Sequence, residues 1–146
     1  MRSRQCTNTC SVNDSEHAGF TTGSPWIKVN PNYVDVNAAA QEGDPDSELN
    51  YFRQLNQVRK DNLTLIYGAY TLLLAEHTEI YAYTRSLDED VILVLLNYSD
   101  KTVTINQADL AGVNVSSGTI LLNNIGSLDV TEKTITLAPY QAVLVR

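Results

Sequence analysis

The sequence predicts a mainly β protein: an antiparallel β-sandwich at its C-terminal end, preceded by a long loop and one helix. Three observations carry this expectation. From Thr64 to Arg146 the apolar residues recur with a period of two, in short runs separated by turn residues. Residues 45–60 place apolar residues at helical spacing instead. Residues 1–46 are rich in Asn, Thr, Ser, Gly and Pro and show little periodicity, as a loop does.

The loop comes first. A loop of this length is unusual inside a self-contained domain and usually belongs to a site or to a larger body. The chain is therefore expected to be a fragment. A short helical piece is expected near residues 37–42. The main helix follows over 45–60, with Asp44 as its cap and Pro45 at the first helical position, where a missing N–H costs nothing. Asp46 and Glu48 in the first turn and Arg59 and Lys60 in the last match the helix dipole. Leu49, Phe52, Leu55 and Val58 form its apolar stripe, and Asn62 ends it.

The strands follow in order. Residues 68–75 and 80–86 read as a hairpin turning through Glu76, His77 and Thr78. In the second of these, Ile80, Ala82 and Thr84 face one way and Tyr81, Tyr83 and Arg85 the other. Asp88, Glu89 and Asp90 make the next turn, and residues 91–98 are apolar on both faces, as a central buried strand should be. Ser99, Asp100 and Lys101 turn the chain into a strand at 102–106, and further strands are expected near 118–123, 128–130, 133–138 and 141–146. Short strands at this spacing suggest a sandwich.

Composition bounds the function. The chain has 146 residues, 43% of them hydrophobic and 18% charged, which fits a packed core and excludes a disordered chain. A net charge of −7 argues against nucleic acid or an anionic membrane as partner, because a polyanion is repelled. No apolar run approaches the roughly 20 residues needed to cross a bilayer. The first residues are basic but are followed by no hydrophobic segment, so they do not read as a secretory signal, and a cytoplasmic location is expected.

Candidate chemistry is sparse. Cys6, Cys10 and His17 have a loose metal-like spacing, but zinc sites take a tighter cysteine pair and a fourth ligand; no metal is expected. The acids that could flank a sugar are Asp14 and Glu16, Asp44 and Asp46, and Asp88, Glu89 and Asp90. Each group lies in a turn or at a helix start, where solvation or capping is its first task. His77 reads as an exposed turn residue near Glu79, and His17 as a loop residue without a partner. No Gly-x-Ser-x-Gly elbow, phosphate loop or dinucleotide fingerprint occurs, so no catalytic residue and no cofactor is assigned. The Asn-x-Ser/Thr triplets at Asn62, Asn97 and Asn114 carry no meaning in a cytosolic protein.

The stretch Ala18 to Tyr33 (AGFTTGSPWIKVNPNY) is followed by Val36-Asn37, Asp44-Pro45-Asp46-Ser47, Tyr51-Phe52 and Leu55 to Lys60 (LNQVRK). In order and spacing it resembles the end of the catalytic barrel in α-glucosidases of the α-amylase superfamily, glycoside hydrolase family 13. The nearest groups are the oligo-1,6-glucosidases, dextran glucosidases, trehalose-6-phosphate hydrolases and sucrose isomerases. Ile66-Tyr67-Gly68, Tyr81 to Arg85, Leu93 to Ser99 and Leu137 to Ala142 look like the same family's C-terminal β-domain. The resemblance implies that residues 1–63 are the loop and last helix of an incomplete (β/α)₈ barrel and residues 64–146 a C-terminal sandwich. The loop would lie at the catalytic rim of the barrel, the stripe of the helix would pack on strands this chain does not have, and the sandwich would dock behind the barrel.

The departures matter as much. The family's nucleophilic aspartate, its glutamate acid/base and its Asn-His-Asp motif all lie upstream of this segment, and neither His17 nor His77 is followed by Asp. The family's Arg-Thr-Pro-Met-Gln-Trp, ahead of the Ala-Gly-Phe stretch, has no counterpart in Thr7 to Val12, and Arg4 lies too far away to take over its arginine. Residues 1–12 read as an unrelated start, from a frameshift or an internal initiation. The resemblance implies a truncated α-glucosidase of carbohydrate metabolism whose parent acts on short α-glucosides without a redox cofactor. Two other readings stay open. One is a carbohydrate-binding module with Trp26, Tyr70, Tyr81 and Tyr83 as stacking groups; the other is a subunit that completes a catalytic body on another chain. With no barrel over it, the helix at 45–60 is expected to pair with a second copy, giving a dimer or higher oligomer.

Overall fold

A computed structural model describes residues 10–110 and 112–146. Cys6, Arg4 and most of the stretch read as an unrelated start lie outside the described residues. The chain divides into two compact units, up to Gln54 and from Leu55 onward.

In the first unit the loop wraps helix α1 (Ala38–Gly43). Asn37 is its N-cap: the Asn37 side chain accepts from the Ala40 amide at 2.9 Å and donates back to the Tyr33 carbonyl at 2.9 Å. The main helix, α2, runs Glu48–Asp61, starting later than its predicted bounds. Asp44 does not cap it. Its carboxylate accepts instead from the Asp46 amide (3.0 Å), closing the Pro45-Asp46 turn, and the Asn50 amide donates to the Ser47 hydroxyl (3.3 Å). Asp46 therefore precedes the helix, while Glu48, Arg59 and Lys60 sit in the terminal turns as the dipole favours. Of the expected stripe, Leu49, Leu55 and Val58 are half-buried and Phe52 is 61% exposed.

A short helix, α3 (Leu63–Tyr67), lies where the sequence suggested the start of the β region. Its β-branched and aromatic residues favour a strand, but packing against the sheet overrides that preference. Gly68 then leads into the first strand; a side chain there would run into the Thr64 carbonyl and the Ser86 backbone.

The predicted sandwich is present. Strands β1 (Ala69–Leu73), β2 (Ile80–Leu87), β3 (Asp90–Asn97), β4 (Val103–Asn106), β5 (Ile120–Asn123), β6 (Asp129–Val130), β7 (Thr134–Leu137) and β8 (Ala142–Val145) form two antiparallel sheets. The larger has the order β1-β2-β3-β8-β5 and the smaller β4-β7-β6. Ile80 and Ala82 point inward with Leu93, Leu95, Val143 and Val145, against Val103, Ile105, Ile135 and Leu137 of the smaller sheet. Ile92 and Val94 are buried too, on the opposite face, so β3 is apolar on both sides as expected of a central strand. Helix α3 packs on β2 and β3.

Two buried polar side chains of the sandwich, Gln141 and Asn97, are paired. Gln141, 1% exposed, donates to Asn123 Oδ1 (3.0 Å) and the Ile125 carbonyl (3.1 Å) and accepts from the Ala138 amide (2.8 Å). Asn97 donates to the carbonyls of Lys101 (2.7 Å) and Ala138 (2.9 Å), tying the end of β3 to the turns beside it. Each satisfies backbone groups that would otherwise be buried without partners.

Candidate functional site

The loop that the sequence singled out is shaped by hydrogen bonds among its own residues. Amides of Val12 and Asn13 donate to the Ala18 carbonyl (2.9 and 3.2 Å), and the Asn13 side chain accepts from the amide and hydroxyl of Ser15 (3.0 and 2.6 Å). His17, Ala18 and Gly19 all lie in the left-handed region, with φ of 57°, 59° and 63°. This tight reversal buries Ala18, and at Gly19 a side chain would strike Asn13. Amides of Ala38 and Ala39 then donate to the carbonyls of Ser11 (3.0 Å) and Val12 (2.9 Å), which clasps the loop to the start of α1. A shallow depression beside the reversal is lined by Asn13, Ser15, Glu16, His17, Phe20 and Thr21.

The candidate residues are dispersed. His17 is half-buried with its Nε2 at 3.6 Å from Glu16 Oε1, so it has a neighbour that the sequence did not identify. Asp14 is exposed, and Cys10 is an exposed free thiol. Among the described residues, no three His, Cys, Asp or Glu side chains come together as a metal site. Asp44, Asp46, Asp35 and Glu48 line one open depression, all of them exposed to water.

Two expectations in the sandwich need correcting. His77 is not a free turn residue: it is half-buried, and its Nδ1 accepts from the amides of Glu79 (3.2 Å) and Ile80 (3.0 Å), shaping the entry to β2. The acids 88–90 do not share one role. Asp88 adopts φ 51° in the two-residue turn that joins Leu87 to Asp90. Asp90 has entered β3. It accepts from the Thr64 hydroxyl and forms an ion pair with Arg146 through Nε (2.8 Å) and Nη2 (2.9 Å). The Thr64 hydrogen bond, the largest influence, together with the hydrogen bond and charge of Arg146, holds its carboxyl below the usual value of 3.8 against the opposing cost of burial.

Three of the four proposed stacking groups meet. On the outer face of the larger sheet, Tyr83 lies 5.2 Å from Tyr70 and 5.4 Å from Tyr81 between ring centroids. Hydroxyls of Tyr70 and Tyr81 are hydrogen-bonded at 2.9 Å, and that bond, more than any desolvation, pushes the Tyr70 phenol up to about 12. Tyr98, 67% exposed, adds a fourth ring 6.4 Å from Tyr81. The sequence reading missed it, although it stands two residues beyond Leu96, the register partner of Tyr81, and so keeps the strand period. Trp26 belongs to the other unit and is 87% exposed.

Comparison with known proteins gives these surfaces a family. The alpha amylase catalytic-domain family matches residues 2–68, and the maltogenic amylase C-terminal-domain family matches residues 70–144. The first match takes in residues 2–12, which the sequence suggested were unrelated. The oligo-1,6-glucosidase of Parageobacillus thermoglucosidasius is 39% identical over 130 residues, covering 88% of this chain and 23% of that protein. The oligo-1,6-glucosidase of Bacillus cereus is 34% identical over 131 residues, 90% of this chain and 23% of the relative. Among solved structures, the trehalose-6-phosphate hydrolase of Bacillus licheniformis superposes with a TM-score of 0.81 at 33% identity, covering 93% of this chain and 24% of that one. A mutant isomaltulose synthase from Erwinia rhapontici gives 0.81 at 32% identity over the same shares. The chain thus spans about a quarter of the length of the relatives it matches. Two family matches in sequence, identities of this size and the shared sandwich lead to one conclusion: the chain belongs to the α-amylase superfamily, glycoside hydrolase family 13, and corresponds to the C-terminal portion of an oligo-1,6-glucosidase-type α-glucosidase.

Proposed function

We propose that this chain serves an α-glucosidase acting on short α-glucosides as its non-catalytic C-terminal portion. On this reading residues 1–63 supply the rim loop and last helix of the catalytic barrel, and residues 64–146 the sandwich that supports it. The observation that carries the proposal is the order of the two family matches, the end of a catalytic domain over 2–68 followed at once by a C-terminal domain over 70–144. The substrate class is inferred from relatives that are oligo-1,6-glucosidases.

Glycoside hydrolysis uses a carboxylate pair flanking the scissile bond. Three of the candidate acids are engaged otherwise: Asp44 closes a turn, Asp88 makes one and Asp90 is latched to Thr64 and Arg146. We therefore assign no catalytic residue within the segment. No helix among the described residues is long and apolar enough to cross a membrane. A cytoplasmic setting belongs to the same proposal, as does a dimer or higher oligomer through the helix α2.

The test is hydrolysis of p-nitrophenyl α-glucoside by the purified chain, with the intact Parageobacillus enzyme as positive control. No turnover above background is expected. Turnover that co-purifies with the chain and disappears when one of its own carboxylates is replaced would overturn the proposal.

A further inference from the structure

The turn that joins β1 to β2 is held by one residue acting at two points. The His77 amide donates back to the Leu74 carbonyl (2.9 Å), and the His77 ring accepts forward, at Nδ1, from the amides of Glu79 (3.2 Å) and Ile80 (3.0 Å). Leu74 lies in the left-handed region with φ of 49°, which is costly for a residue with a Cβ, so the turn keeps this shape only while its neighbours fix it. The ring also stands in for a strand. Pairing with β1 ends at Ala82, opposite Leu73, and Ile80 lies two residues nearer the turn. The Glu79 carbonyl faces β3, where the Tyr98 amide donates to it (2.8 Å). The Ile80 amide belongs to the same peptide unit and so points the other way, where β1 offers it no carbonyl. His77 Nδ1 takes that place at the edge of the inter-sheet core, in which Ile80 is 3% exposed.

Only one form of imidazole can do this. Nδ1 accepts hydrogen bonds when it carries no proton, so the turn selects the neutral ring with its proton on Nε2. A proton added at Nδ1 turns the acceptor into a donor aimed at two other donors. The Glu79 and Ile80 amides would lose their partner, and an unpaired amide beside a core is disfavoured. The ring's contribution is therefore present while the imidazole is neutral and lost as it takes up a proton. Histidine is the side chain that ordinarily makes this change between about pH 5 and 8. Charged groups flank the ring on two turns. Glu76 is exposed on its own turn, and Glu79 is half-buried with Oε1 4.0 Å from Nζ of Lys101, on the turn after β3 that also carries exposed Asp100. His77 is only half-buried, so a charged ring can leave the hairpin for water and the carboxylates of its own turn.

We infer that His77 is a protonation switch for this hairpin. Proton uptake by its ring releases residues 74–79 and frays the first residues of β2, while the inter-sheet core stays folded. Opening stops at Ala82, because from there onward the backbone of β1 supplies the partners that the ring supplies before it. Acid thus loosens one corner of the sandwich and relaxes Leu74 without unfolding the domain.

The experiment is amide hydrogen exchange of the full chain followed by NMR across the range of imidazole titration, with the His77 ring signals recorded alongside. Protection of the Ile80 amide, corrected for the intrinsic effect of pH on exchange, should fall about tenfold or more as the ring charges, while that of Leu95 in the core stays constant. His77→Asn places a short acceptor that does not titrate at the same point, and should keep Ile80 protected throughout. His77→Phe removes the acceptor and should leave Ile80 poorly protected at every pH. His17→Asn should respond as the unaltered chain does. Protection of Ile80 that does not follow the His77 titration would overturn the inference. So would an equal fall in His77→Asn, which would assign the response to Glu76, Glu79 or Asp100, or its loss in His17→Asn. A parallel fall at Leu95 would mean global unfolding and overturn it too, as would a His77→Asn chain that does not fold. The unaltered chain and His77→Asn decide the matter even where His77→Phe does not fold.

Discussion

Among the described residues before Leu55, the buried side chains are Ala18, Asn37 and Ser47; after it they include Ile80, Ile92, Leu93, Leu95, Leu110, Ile135, Leu137 and Val143. The first region is shaped by side-chain hydrogen bonds to backbone: Asn13 on Ser15, Asn37 on Tyr33 and Ala40, Ser47 on Gln41, Asn50 on Asp44. The second is shaped by apolar packing between sheets. A hydrogen bond contributes a net stability of about 1 kcal/mol, because water competes for both partners, whereas a buried leucine contributes about 1.5–3 kcal/mol. Hydrogen bonds can specify the path of a loop without making it cohere. The exposed Phe20, Trp26, Val34 and Val36 fit a region whose apolar surface is meant for a larger body.

The comparison can be broken most severely in the core. Leu95→Ala should destabilise the sandwich by about 2–5 kcal/mol in urea unfolding, since Leu95 is fully buried in the inter-sheet core. A cost under 1 kcal/mol would mean that packing does not dominate the second region. A smaller and purely local effect is expected of Asn37→Ala. It should cost about 1 kcal/mol in the stability of α1, seen as faster proteolysis within residues 11–47, with the unfolding midpoint of the sandwich unchanged. A matching fall in that midpoint would show that the two regions unfold together.

Titrations sharpen the picture further. The carboxyl of Asp90 is lowered in the folded chain, so its contribution is present above the ordinary value of 3.8 and is lost as pH falls through the folded value. Asp90→Asn should therefore lower the urea midpoint at pH 7 and flatten its decline below pH 4, in contrast to a mutation of the open acid Asp14. The smallest effect is at the aromatic surface. Tyr70, raised by its bond to Tyr81, should ionise near pH 12 in an ultraviolet titration, and the bond's contribution, fully present below 10.0, is lost as pH rises through about 12. Tyr81→Phe should return Tyr70 toward 10.0 with little change in stability.

The sandwich was legible in the sequence because its physics is local. Ile80, Ala82 and Thr84 alternate with Tyr81, Tyr83 and Arg85, and the structure buries the first set and turns the second outward. The candidate surface was legible only in part. Tyr70, Tyr81 and Tyr83 could be named from strand period, but Tyr98 was hidden at the end of a strand whose other residues are apolar. Asp90 read as a turn acid, because nothing local shows that Thr64 and Arg146 converge on it. Asp44 read as a helix cap because a cap and a turn both call for a short acceptor side chain; which amide it meets depends on where Ser47 stands.

From its own residues the chain determined which strands form, which face of each is apolar and where its main helix lies, since these follow from periods of 2 and 3.6 acting over a few neighbours. Tertiary structure alone decided the rest. It made 63–67 helical against their strand preference, drew Thr64, Asp90 and Arg146 into one latch, and left Arg85 Nε buried without an acceptor. Those outcomes depend on groups distant in sequence sharing one place, and no local pattern encodes a meeting of that kind.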